Sequence, residues 1–146
     1  MAENGLRLSP LTGANAHVVE LFAALHDACR ENDDHDPGHG PRAAKLATRL
    51  NGRFFSLAPL ELNLLVIACR HHTDTRKHSD PTVQTCWDAD RLDLFRVGIQ
   101  PDPMFLNTKA ARSKEVLRWA NARAERLERA HDTLQRWGAN LKEAIP

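Results

Sequence analysis

The amino-acid sequence predicts an all-α protein, and three observations carry that expectation. The chain has no tyrosine and no alternating run of β-branched residues that would lay down a strand. Apolar residues return at three- and four-residue intervals along much of its length, the period of a helix with one face turned inward. Between those stretches lie polar segments marked by proline and glycine, which end helices rather than extend them. With 146 residues the chain is one domain by length, and an apolar fraction of 42% gives it enough side chains to bury a core.

The first predicted helix lies within 14–30, where Val18, Leu21, Phe22, Leu25 and Cys29 fall at helical spacing. The acidic ENDDHDPGHG that follows is too polar and too rich in turn formers to prolong it. A second helix opens near Pro41, whose fixed φ suits a first turn, and runs through Ala44, Leu46, Ala47 and Leu50 to Gly52. The third spans 59–72 from Pro59, with Ser56 as a candidate cap nearby. It carries Leu60, Leu62, Leu64, Leu65, Val66 and Ile67 nearly all round, which predicts a central, buried helix.

After the polar loop TDTRKHS, Asp80 takes the N-cap and Pro81 the first turn of a fourth helix ending near Gly98. IQPDPMFLN reads as a turn-rich connector. From about Thr108 to Leu141 no proline interrupts a long last helix. Its narrow stripe of Leu117, Ala120, Ala124, Leu127, His131 and Leu134, flanked by Trp119 and Trp137, must cover something. The organisation expected is therefore a helical core over 1–108 and a C-terminal helix over 109–146. That helix either packs back on the core or mediates self-association as a homodimer.

Composition narrows the function classes. No run of 18 apolar residues occurs, and MAENGLRLSP lacks a basic-then-apolar leader, so the chain reads as cytoplasmic with no membrane partner. Cys29, Cys69 and Cys86 have no CxxC spacing and read as buried free thiols. The net charge of +1 hides a basic C-terminal segment in which nine Lys/Arg face five Asp/Glu. Arg118, Arg123, Arg126 and Arg129 raise nucleic acid as a partner. Because they alternate with Glu125, Glu128 and Asp132, a solvated helix face is the better reading.

The chemistry sits in the histidines. Seven of the eight fall between His17 and His78, interleaved with carboxylates. Imidazole nitrogen and carboxylate oxygen together suit divalent cations such as manganese, iron, cobalt, nickel or zinc. His-Asp occurs three times: in His26-Asp27, His26 lies on or beside the apolar stripe of its helix, His35-Asp36 sits in a loop, and His131-Asp132 on the mixed C-terminal helix. Val83, Trp87, Asp90, Leu94 and Val97 share one face, so Asp90 is a carboxylate on an apolar side and needs a cation or several donors against it. Asp88 points with Gln84 and Arg91, where it can stay solvated or act as an outer acceptor. His71 and His72 end the most apolar helix, and at least one must face inward. His39, at a helix N-terminus, suits a metal or a phosphate oxygen.

The order His26-Asp27, His39, His72, Asp90 resembles the HD-domain superfamily of metal-dependent phosphohydrolases, over about residues 14–108. DADRLD, from Asp88 to Asp93, is similar to the closing motif of one bacterial branch. The resemblance implies an HD-like helical bundle with His26, Asp27 and Asp90 as metal ligands and Asp27 also orienting the attacking water. It implies His39 and His72 as further catalytic histidines, binding a second metal or the phosphate. The implied cofactor is a divalent ion (manganese, iron, zinc, nickel, cobalt or magnesium), and the implied substrate a nucleotide or other small phosphate ester. Arg42 and Arg91 are candidates to neutralise phosphoryl charge. The sequence departs from the family in one respect. The family's first metal-binding histidine lies well upstream of the HD pair, whereas His17 is nine residues before His26, about 13 Å along one helix, too far to share an ion. Replacement by another group such as His35, or a catalytically silent HD-like binding module, are the alternatives this leaves.

Overall fold

A computed structural model describes residues 1–32 and 35–127. Six helices run through them with no strand: α1 (Ala2–Thr12), α2 (Ala16–Leu25), α3 (His39–Leu50), α4 (Pro59–His71) and α5 (Pro81–Arg91), then α6 over residues 114–127. The all-α expectation holds. Short 3-10 turns occupy Leu94–Val97 and Pro103–Phe105. No helix among the described residues is long and apolar enough to cross a membrane. The stripe beyond Leu127, with His131-Asp132, Leu134 and Trp137, lies outside the described residues, as does Arg129.

Local chemistry explains most boundaries. Asn15 caps α2 by accepting from the Val18 N–H at 3.2 Å, and its amide donates to Glu61 Oε1 at 2.7 Å, tying the start of α2 to α4. Asp80 caps α5 by accepting from Thr82 N at 2.8 Å, with Pro81 in the first turn as predicted. Ser56 does not cap α4. Ala58 holds that position, and the Glu61 carboxylate reaches back to its N–H at 2.9 Å.

α1 is not among the helices the periodicity predicts, because Gly5 and Pro10 look like breakers. Gly5 instead permits a close crossing: a Cβ there would lie 2.3 Å from Val19 Cγ1. α1 packs on α2 and α5, α2 also meets α4, and α3 lies along α4. The main core gathers Val18, Val19 and Phe22 of α2, Ala43 and Ala47 of α3, Leu65 and Ala68 of α4, and Val83, Cys86 and Trp87 of α5. Burying a side chain such as Phe22 contributes roughly 1.5–3 kcal/mol. The Trp87 indole N–H donates to Ala68 O at 3.0 Å, so the largest core side chain leaves no polar atom unpaired.

Two predicted placements are corrected. α4 is not central: only Leu65, Ala68 and Cys69 are buried, and Leu60 is 72% exposed. α5 is the enclosed helix, with every residue from Thr82 to Ala89 buried except Gln84. It stops at Arg91 rather than near Gly98. Leu94 and Val97 therefore leave the face they would share with Asp90 and stand exposed.

α6 belongs to a second cluster, in which Val116 and Ala120 pack with Leu8, Leu92 and Leu106. Arg123 is buried there. It donates to Asn4 Oδ1 at 3.1 Å and to Asp93, so it is not available to a nucleic-acid backbone.

Candidate metal centre

Every candidate ligand stands at a helix end. α2 stops at Leu25, placing His26 at its C-cap and Asp27 in the following turn. His39 is the first residue of α3, His72 the C-cap of α4, and Asp90 the last but one of α5. Three C-terminal ends, each carrying partial negative charge, thus converge on one place and favour a cation there.

The rings are locked by those same helix ends. His26 Nδ1 faces Phe22 O at 3.1 Å, His72 Nδ1 faces Cys69 O at 2.8 Å, and His39 Nδ1 faces Asp36 O. A carbonyl only accepts, so each Nδ1 carries the proton and each Nε2 is turned toward Asp27. His39 Nε2 lies 3.2 Å and His72 Nε2 3.5 Å from Asp27 Oδ1, and the two nitrogens are 2.9 Å apart. His26 Nε2 lies 3.7 Å from Asp27 Oδ2 and 3.6 Å from Asp90 Oδ1.

This triangle fits a metal ion. Nitrogen lone pairs 2.9 Å apart repel unless positive charge lies between or beside them. An ion 2.0–2.2 Å from each ligand, with angles between octahedral and tetrahedral, spaces neighbouring donor atoms by about 2.8–3.6 Å. The observed edges of 2.9, 3.2 and 3.5 Å fall within that range. Asp27, His39 and His72 therefore form a group that could hold a metal ion, with His39 and His72 buried and Asp27 open to solvent.

Charge around the site is strongly coupled. The His72 imidazole beside it outweighs burial and, with the charges of His26 and Arg30, holds the Asp27 carboxyl far below the ordinary range. Burial would lower His26, but the hydrogen bond and charge of Asp90, with the charge of Asp27, raise it overall. Burial pushes the nearby Cys69 thiol up to about 12, so Cys69 contributes its carbonyl rather than a thiolate.

The five residues singled out by the sequence, His26, Asp27, His39, His72 and Asp90, come together. The tightest group, however, is Asp27 with the two histidines, while Asp90 reaches it through His26. His71 turns outward, 3.5 Å from Asp74. His17 is exposed on α2, and His35 is exposed beside an open cleft of about 280 Å³ that it lines with Arg30, His39 and Thr73.

Three assignments are corrected. Asp88 is not solvated; it is fully buried and accepts from the N–H groups of Asn107 and Thr108, from the Asn107 amide and from the Thr108 hydroxyl, at 2.6–3.0 Å. Arg42 is committed to Cys29 O and the Asp36 carboxylate. Arg91 is committed to the carbonyls of Thr75, Arg76 and Phe105.

Two contributors escape the sequence reading. Arg30 places Nη2 3.1 Å from both Asp27 Oδ1 and His39 Nε2, making it the cation at the mouth of the site. Its i,i+3 spacing from Asp27 was a usable signal. Asp36 anchors the loop before His39: its carboxyl, held below the ordinary range by Glu31 N–H and Arg42, also accepts from Gly38 N–H. That role needs the folded loop to be visible. Compared with protein-family models, with curated proteins and with solved structures, the chain matches none.

Proposed function

We propose that the protein is a metal-dependent phosphohydrolase of the HD type, acting on a nucleotide or another small phosphate ester. The observation that carries this reading is the Asp27–His39–His72 triangle, with donor edges of metal-ligand length and each imidazole fixed through Nδ1. Its order along the chain, and its neighbours His26 and Asp90, match the HD resemblance. A divalent ion held there supplies Lewis acidity, polarising a phosphoryl oxygen and making water a stronger nucleophile. The chain's own residues do the rest. The outer oxygen of Asp27 orients water, His26, itself paired with Asp90, holds that carboxylate in place, and Arg30, facing the cleft, neutralises charge on the phosphoryl group.

The test is elemental analysis of protein purified without chelator, followed by turnover of a phosphomonoester and nucleotide panel with added manganese. About one ion per chain and manganese-dependent release of phosphate are expected. Asp27→Ala should weaken cation binding by more than the roughly 10–100-fold that loss of an outer-sphere partner costs. No turnover with any divalent ion overturns the enzyme reading.

A second reading is a catalytically silent HD-like binding module, and Arg30 favours it. Its guanidinium already satisfies Asp27 and His39, as a resident cation would in a site without metal. Arg30→Ala separates the two: it should tighten cation binding if Arg30 competes for the ligands, and yield a protein still free of metal if the site is silent.

A further inference from the structure

We propose that a pocket of about 300 Å³ next to this centre is the seat of a flat heteroaromatic ring, so that the phosphate ester taken by the protein is a nucleotide rather than a sugar or polyol phosphate. The substrate role rests on the hydrolase reading; the ring site itself does not.

The pocket begins one residue from the metal centre at two independent points. His72 belongs to the centre and Thr73 lines the pocket; Asp90 faces His26 and Arg91 lines the pocket. Consecutive Cα atoms are about 3.8 Å apart, so the two sites are neighbours by covalent geometry. Thr73 also borders the cleft that opens onto His39 and Arg30, so the two spaces share a wall. On this proposal the alcohol portion of a phosphate held at the centre extends toward the pocket.

Its walls suit a ring. Leu94, Ile99 and Phe105 give apolar surface, all three among the large hydrophobic side chains left exposed. The Arg76 guanidinium lies over the Phe105 ring, 4.6 Å from its centroid, a stacked pair onto which another flat group can add. Thr75 and Gln100 supply hydroxyl and amide groups for a ring edge. The volume is at the lower end of the 300–1,000 Å³ range usual for small-molecule sites and is ample for a base.

The pocket is also braced. Arg91 binds Thr75 O and Arg76 O on one wall and Phe105 O on the other. Just beyond, Asp88 pins Asn107 and Thr108.

The isoleucine methyl groups provide the test, since the chain has only three isoleucines and one, Ile99, lines the pocket. The four common ribonucleosides and ribose 5-phosphate are titrated into methyl-labelled full-length protein. At least one nucleoside should shift the Ile99 signal, leaving Ile67 unmoved, and ribose 5-phosphate should not. Phe105→Ala and Arg76→Ala, both at exposed positions, should each weaken nucleoside binding about tenfold, the worth of one stacking contact. Asp27→Asn should leave it unchanged. If no nucleoside moves Ile99, or if binding survives both pocket variants undiminished, the ring site is overturned while hydrolysis stands or falls on the metal assay. A nucleoside-bound pocket in a protein without turnover supports the ring site and removes only the hydrolase.

Discussion

At the scale of single residues, the metal centre depends on how closely two backbones approach. Gly40 follows His39, and a Cβ there would lie 2.7 Å from Cys69 O and 2.8 Å from Arg70 O, both main-chain atoms at the end of α4. Those same turns deliver His72, whose Nδ1 is fixed on Cys69 O. Any side chain at position 40 must push α3 from α4 and so open the 2.9 Å contact between His39 and His72. Gly40→Ala should cost about 1–3 kcal/mol by overpacking. It should also lower cation affinity by at least tenfold in a calorimetric titration. Gly38→Ala is the comparison, since its nearest neighbour is the end of the Arg42 side chain, 2.5 Å away, rather than the backbone of α4. Equal affinity in both variants would show that α3–α4 spacing does not set the site.

At the scale of elements, α5 decides which carboxylate is structural and which is free to act. Asp88 receives four hydrogen bonds from Asn107 and Thr108, fixing the segment after α5 against the helix. Removing a buried charged acceptor leaves its donors unsatisfied, so Asp88→Ala should cost about 3–5 kcal/mol. Hydrogen exchange should locate the damage: the Asn107 and Thr108 amides lose protection while amides of α3 keep theirs. Retained protection at those two amides would refute the brace. The sequence misplaces Asp88 because one apolar face was assumed for α5, whereas the helix is enclosed on nearly every side and periodicity no longer separates inside from out. The metal candidates were legible for the opposite reason. His26 and His72 continue apolar stripes to helix ends, where an imidazole has no purpose in solvation. α1 was hidden because Gly5 and Pro10 imitate loop chemistry, and the need for a small residue at Gly5 appears only once Val19 is packed against it.

At the scale of the whole molecule, the ends of the described chain are held to its middle by one buried carboxylate. Asp93, just beyond α5, accepts from Arg123 of α6 and from the Met1 amino group, and Arg123 also reaches Asn4 of α1. Burial would raise the Asp93 carboxyl, but the hydrogen bonds and charges of Met1 and Arg123 lower it overall. A carboxyl depressed by folding contributes stability above its unfolded pKa of about 3.9, and that contribution fades as pH falls through the folded value. Asp93→Asn leaves Arg123 buried without its counter-charge, a loss of about 3 kcal/mol at neutral pH, or roughly 6–12 °C in Tm for a chain of this size. The difference from the parent protein should narrow below about pH 4, where protonated Asp93 resembles asparagine. Thermal melts of both proteins between pH 7 and pH 3 measure it. A gap that stays constant across that interval would mean that the ion pair does not hold α6 to α1 and α5, leaving the apolar contacts of Leu8, Val116 and Ala120 to do so.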